Sequence, residues 1–171
     1  MILHIIQYPD PRLTQRAVEL TDCTDEIRAL VANMAETMYE ARGVGLAAPQ
    51  VGQAIRLILV DASGPDERND LRVLINPRLT VLDSTPVEDE EGCLSVPFNY
   101  RAPVNRAAKV AVDALDMAWK PVHVEAEGLL AVCLQHELDH LEGTVFLDHI
   151  SRLKRMLFDT RIKKWQRRKS P

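Results

Sequence analysis

His136 and His140 stand four residues apart with Glu137 beside the first, the pattern H-E-x-x-H. On an α-helix of about 3.6 residues per turn, positions i and i+4 share a face, so both imidazoles could reach one metal ion. Glu137 would flank them, placed to exchange a proton with a metal-bound water. The preceding run Leu129–Leu134 is apolar on every side, which predicts a buried helix. Burying two histidines and three acids (Glu137, Asp139, Glu142) costs desolvation, and a cation would offset it. The competing reading is a partly exposed helix end with a histidine–carboxylate network. Two imidazoles do not complete a site, because catalytic zinc-type centres hold three protein ligands and leave the fourth position to water. Glu142 and His149 are downstream candidates, but their spacing fits no peptidase pattern. Cys93, on the turn Gly92-Cys93, is the better chemical choice. A thiolate with two neutral imidazoles leaves a divalent site with a net charge of about +1, and suits Fe(II) as well as Zn(II). Taken alone, a single cysteine is more often a small buried hydrophobe.

The elements that must position these residues are legible in outline. Ile2–Ile6 reads as a short strand or extended arm, closed by a turn at Tyr8-Pro9-Asp10-Pro11. Thr24 is an N-cap for a helix over 25–42, with Asp25 and Glu26 in its first turn and Gly43 as its C-cap. Its stripe Ile27, Leu30, Val31, Met34, Met38 belongs to a core. Gly43–Gln50 is dense in small residues and lets backbone approach a neighbour closely. It is not a G-x-G-x-x-G fingerprint, since Ala48 replaces the third glycine. A strand over 56–61 is followed by a polar loop at 64–70. A second strand or hairpin over 72–83 is interrupted by Asn76-Pro77. Glu88–Glu91 reads as solvated surface. Strands at 109–116 and 122–126 form an antiparallel pair around a turn at 119–121, with His123 on the surface. The H-E-x-x-H helix follows and ends at Gly143. Val145–Leu147 is a short strand or packing arm, and a last helix starts near Ser151.

The whole is an α+β fold: mostly antiparallel sheet around a buried central metal-binding helix, with a further N-terminal and a C-terminal helix. It forms one domain over 1–150, and the basic helix of 151–171 belongs to the same domain. With 46% apolar and 27% charged residues the chain is an ordinary globular one. No apolar run is long enough for a membrane span, and no signal peptide is present. Three cysteines without an export signal predict a reducing, cytoplasmic location. Residues 152–171 carry nine Lys/Arg and one acid, a net of +8, leaving −12 for the rest. Such a tail suits an anionic partner, or is a solvated helix balancing an acidic body.

Three separated motifs together resemble the bacterial peptide deformylases. Their signatures G-x-G-L-A-A-x-Q, E-G-C-L-S and Q-H-E-x-D-H stand here as Gly43–Gln50, Glu91–Ser95 and Gln135–His140. The likeness runs from the Pro-Asp-Pro turn to the basic helix. The resemblance implies an enzyme that removes the formyl group from the initiator methionine of nascent chains. Cys93, His136 and His140 would hold one divalent ion, Fe(II) by family preference, with zinc, nickel or cobalt also accommodated. Glu137 would be the general acid/base, serving a metal-bound hydroxide that attacks the formyl carbon. Gln50 and the Leu94 backbone N–H would form the oxyanion hole.

By the same resemblance Val44, Leu129, Val132 and Cys133 line the methionine pocket, and Gly45 binds the substrate backbone as an added strand. A close wall at Gly45 would admit formyl and clash with acetyl. Arg101 would contact the substrate backbone, and the basic helix would dock on the ribosome near the exit tunnel. Asp139 is expected to orient a histidine, to satisfy a nearby donor, or to pair with Arg106 or another arginine. The chain departs from many members at Pro49 and at Asp89, which stands where some place an apolar pocket residue. Rival readings are a zinc endopeptidase and a non-enzymatic metal module that binds the ribosome.

Overall fold

A computed structural model describes residues 1–170; Pro171, the end of the expected C-terminal helix, lies outside the described residues. Five strands form one antiparallel sheet in sequence order: β1 (Gly45–Ala47), β2 (Leu57–Val60), β3 (Arg72–Glu91), β4 (Ala102–Leu115) and β5 (Pro121–Glu127). Three α-helices accompany them, α1 (Asp25–Glu40), α2 (Gly128–Leu141) and α3 (Arg152–Lys169). The architecture is the expected α+β one, built on a single sheet.

Strand alternation decides which helix meets which face. All four residues of β2 are buried. Leu57 and Leu59 pack with Leu46, Ile75 and the α1 residues Val31, Met34 and Met38. Ile58 and Val60 turn the other way, with Ala47 and the α2 residues Ala131, Cys133, Leu134, Leu138 and Leu141. The sheet is thus held between α1 and α2, and α2 touches every strand. Its burial follows from an apolar surface on nearly all sides, as the sequence predicts.

Thr24 caps α1, its side chain accepting from Ile27 N at 3.4 Å. The helix ends two residues earlier than expected. Arg42, not Gly43, takes the left-handed conformation (φ 56°), and Gly43 N–H returns to Met38 O at 2.8 Å. Gly43 answers a different demand: a Cβ there would lie 2.7 Å from Leu94 Cδ1. Asn76-Pro77 does not end its strand. Asn76 adopts φ 51° and the β3–β4 register shifts between Ile75 and Arg78, so the strand absorbs the proline as an irregularity and runs on to Glu91. Of the two readings of Val145–Leu147 the packing arm holds: all three residues are buried in a core cluster, and Phe146–Asp148 is a turn of 3-10 helix rather than a strand.

The β4–β5 pair is as expected, with Val112 opposite Val124 and His123 exposed beside Asp113. The N-terminal segment is an extended arm across the site loops: Ile6 N donates to Gln50 O (2.8 Å), Tyr8 N to Ser95 O (2.7 Å) and Gln7 Nε2 to Leu94 O (2.8 Å). Helix α3 buries Phe158 and Ile162 against Val96, Ala102, Val104 and Val145–Leu147. Tyr8 fixes it further, donating to Asp159 Oδ1 at 2.6 Å and accepting from Arg155 at 3.1 Å.

Candidate active site

Side-chain donors of Cys93, His136 and His140 all lie within 4.8 Å of one another. Cys93 Sγ is 3.3 Å from His140 Nε2. One helix supplies both histidines and the turn after β3 supplies the thiol. His136 Nδ1 donates to Glu91 Oε1 at 2.8 Å, which leaves Nε2 for a ligand. Burial lowers His140 to about 3, keeping its imidazole neutral. At His136 burial also opposes the charged form, but hydrogen bonding to Cys93 and Glu91 raises it well above the usual value, and a cation at the three donors would displace that proton. One thiol and two imidazoles of this spacing fit a single divalent ion. Neither Glu142 nor His149 belongs to the cluster: Glu142 pairs with Arg16 and Arg56, and His149 with Asp139.

A cavity of about 600 Å³ opens onto this cluster, lined in part by Gln50, Cys93, Leu94, His136 and Glu137. Val44, Gly45, Leu129, Val132, Cys133 and Arg101 line it too, so every expected site residue except His140 reaches it. His140 is 1% exposed and sits behind the wall. Glu137 is buried, and its Oε2 and His140 Nδ1 have no hydrogen-bond partner among the described residues. Burial pushes the Glu137 carboxyl up to about 7, and a cation at the three donors would act in the opposite direction.

Gly45 and Glu137 are in close contact. A Cβ on Gly45 would stand 2.8 Å from Glu137 Cδ and 2.9 Å from Cγ, so only glycine leaves room for this carboxylate. The strand pattern also turns Gly45 outward. Asp61 N donates to Val44 O at 2.8 Å, so in an antiparallel ladder the next residue directs its N–H and C=O away from β2. β1 is the sheet's edge, so no further strand pairs with those groups, and Gly45, though buried, lines the cavity.

Gln50 Oε1 accepts from Ala47 N (2.9 Å), while Nε2 donates to Ser95 Oγ (3.1 Å) and lies 3.5 Å from Cys93 Sγ. The amide is therefore fixed with one N–H directed toward the thiol. Leu94 N–H makes no hydrogen bond among the described residues. Arg101 sits at the rim, donating to Glu90 O at 2.9 Å.

A chain of buried charges behind the histidines corrects the reading of Glu88–Glu91 as solvated. Glu88, Asp89 and Glu90 are exposed, but Glu91 is buried and bonds Arg106 through both oxygens, each at 2.8 Å. Arg106 reaches on to Asp139 (2.6 Å), which also pairs with His149 (2.8 Å). Burial works against the Glu91 charge, yet Arg106 and His136 hold its carboxyl at about 2. Of the alternatives open for Asp139 the structure shows the pair with Arg106, and the histidine that Asp139 contacts is His149 rather than His136 or His140. Gln135 pairs its amide with both backbone groups of Ala107 at 3.0 Å, tying α2 to β4. Glu91 and Gln135 both stand inside the signature motifs, which was the available sign of their importance.

The polypeptide deformylase family profile matches residues 2–156. A peptide deformylase of Chromohalobacter salexigens is 49% identical over 166 residues, 97% of this chain and 94% of that one. One of Psychrobacter cryohalolentis is 47% identical over 163 residues, 95% and 87% of the two chains. Among solved structures, a peptide deformylase from Legionella pneumophila superimposes with a TM-score of 0.89 at 43% identity, covering 100% of both chains. That from Ehrlichia chaffeensis in complex with actinonin gives 0.88 at 39% identity, covering 97% and 98%. With these likenesses spanning nearly its whole length, the chain belongs to the polypeptide deformylase family, a family of enzymes.

Proposed function

We propose that this enzyme removes the N-formyl group from the initiator methionine of newly made polypeptides, using one divalent ion held by Cys93, His136 and His140. The observation that carries the reading is the convergence of those three donors at a cavity where Glu137, buried with a free oxygen, also opens. When bound, the ion supplies a Lewis acid that brings the pKa of water toward neutrality. Fe(II) is the proposed native ion, and the donor set also accepts zinc, nickel or cobalt.

The chain's own residues then divide the work. The substrate backbone adds as a strand to the open edge of β1 at Gly45, with Arg101 meeting it at the rim. Its methionine side chain enters between Val44, Leu129, Val132 and Cys133. Glu137 takes the proton of the attacking water on its free oxygen and later delivers it to the leaving amine nitrogen. Gln50 Nε2 and Leu94 N–H, both fixed before substrate arrives, stabilise the developing oxyanion; losing one such donor typically costs about 2.7–4 kcal/mol. The contact between Gly45 and Glu137 leaves little space beside the formyl hydrogen, which disfavours acetyl.

The test is amine release from formyl-methionyl and acetyl-methionyl peptides by wild type and Glu137→Ala, with metal content measured. Selective turnover of the formyl peptide, abolished by a variant that keeps its metal, is expected. Equal turnover of both peptides, or full activity in the variant, would sink the mechanism.

The exposed basic residues of α3, among them Lys154, Lys163, Lys164, Arg167 and Arg168, are proposed to meet ribosomal RNA near the exit tunnel, as part of the same domain and in the cytoplasm. No helix among the described residues is long and apolar enough to cross a membrane. Reversing these charges, rather than deleting a helix that carries Phe158 and Ile162 into the core, should abolish low-salt co-sedimentation with ribosomes.

A further inference from the structure

We propose that Asp89 makes the pocket for the first substrate residue accept side chains ending in a positive charge, an inference resting on the deformylase reading above. Glu91 points inward toward His136, and Asp89, two residues earlier on the same strand, lies on the same face. Its cross-strand neighbour is the buried Val104. Asp89 lines the cavity together with Leu129, Val132 and Cys133.

Position along α2 sets the reach. Cys133 lies three residues, or about 4.5 Å of helix, before His136. A first side chain that runs from the metal ligands toward Leu129 therefore passes Cys133, which shares the cavity wall with Asp89.

Asp89 and Glu137 are the carboxylates of this cavity with no cationic partner among the described residues, and Glu137 stands beside the histidines rather than at the pocket wall with Asp89. Arg42 is paired with Asp66 at 2.9 Å, Arg101 is bound to Glu90, and Glu91 is bound to Arg106. The Asp89 carboxylate accepts only the neighbouring Glu90 N–H, at 2.8 Å, and has no cationic partner among the described residues. The apolar wall can hold the methylenes of a lysine as it holds those of methionine, while an ammonium at the end meets an uncompensated carboxylate.

Turnover of formyl-methionyl, formyl-norleucyl and formyl-lysyl peptides of one downstream sequence tests this, using metal-loaded wild type, Asp89→Asn and Asp89→Leu. The lysyl-to-norleucyl ratio of kcat/KM should fall about three- to fivefold in Asp89→Asn, the scale of a solvent-exposed charge pair. It should fall further in Asp89→Leu, and the wild-type preference should shrink as salt rises. Unchanged lysyl-to-norleucyl ratios in both variants would overturn the role of Asp89. Failure of wild type on the formyl-methionyl peptide would instead reject the deformylase reading.

Discussion

Substituting Gly45 with alanine tests how tightly the Glu137 carboxylate is held. The new Cβ would lie 2.8 Å from Glu137 Cδ and 2.9 Å from Cγ, whereas ordinary contact begins at 3.4 Å. Glu137 Oε1 is closer still, so the carboxylate must retreat by more than about 0.6 Å, or β1 must move away from α2; a displacement near 1 Å at a catalytic group can cost on the order of 10²-fold in rate. Glu137 is buried and β1 packs into both cores, so neither has an easy escape. Overpacking of this kind destabilises by about 1–3 kcal/mol, so thermal melts belong beside the kinetics. The expected result with formyl-methionyl peptide is a kcat lower by about 10²-fold, with metal retained and the fold intact. Obstruction of the substrate strand alone would instead raise KM. The double variant Gly45→Ala/Glu137→Ala separates the two: if alanine acts through the carboxylate, it should lower kcat no further than Glu137→Ala does. Wild-type kcat in Gly45→Ala, or full additivity in the pair, would refute the argument.

Glu91→Gln should weaken metal retention by about 10–100-fold in chelator competition, because His136 loses its carboxylate partner. The same change leaves the buried Arg106 under-compensated and should cost about 3–5 kcal/mol of stability in denaturant melts. Cys93→Ser should lower metal content where Cys133→Ser does not; equal loss in both would reject the ligand assignment. Burial, reinforced by the hydrogen bond to Asp61, raises the Tyr39 phenol from 10.0 to about 12. The folded state therefore favours the neutral phenol, and that contribution is whole below pH 10 and lost between 10 and 12. Tyr39→Phe should flatten the fall of stability over that window, while costing about 1–3 kcal/mol near neutrality by leaving Asp61 one donor short. Coincident alkaline slopes for the two proteins would count against it.

Features set by neighbours along the chain were legible. The Thr24 cap and the stripe through Met38 located α1, alternating valines located the β4–β5 pair, and the apolar run Leu129–Leu134 marked α2 as the helix to bury. What escaped depends on residues far apart in sequence. A run of four acids looks solvated because composition averages over both faces of a strand. Only pairing β3 with β4 shows Glu91 turned inward to meet Arg106, fifteen residues later. Gly43 looked like a helix cap because glycine commonly serves as one. Its actual constraint comes from Leu94, which no local rule could reveal, while Arg42 accepted the left-handed turn.

The same distinction explains why H-E-x-x-H alone was ambiguous between hydrolases. The motif specifies two imidazoles and an acid on one helix face, and nothing about what stands opposite. In this fold the opposite side is built by two segments that the sheet brings in: the turn after β3 carries Cys93 and the free Leu94 N–H, and β1 carries Gly45. The N-terminal arm ties both to one support, since Ile6 bonds Gln50 O, Gln7 bonds Leu94 O and Tyr8 bonds Ser95 O. Gln50 then bonds Ser95 and faces the thiol, so the amide and the metal ligand are located by one network. A helix with the same two histidines but another wall would present its acid to a different substrate. The wall, rather than the motif, is where specificity for a one-carbon acyl group would reside.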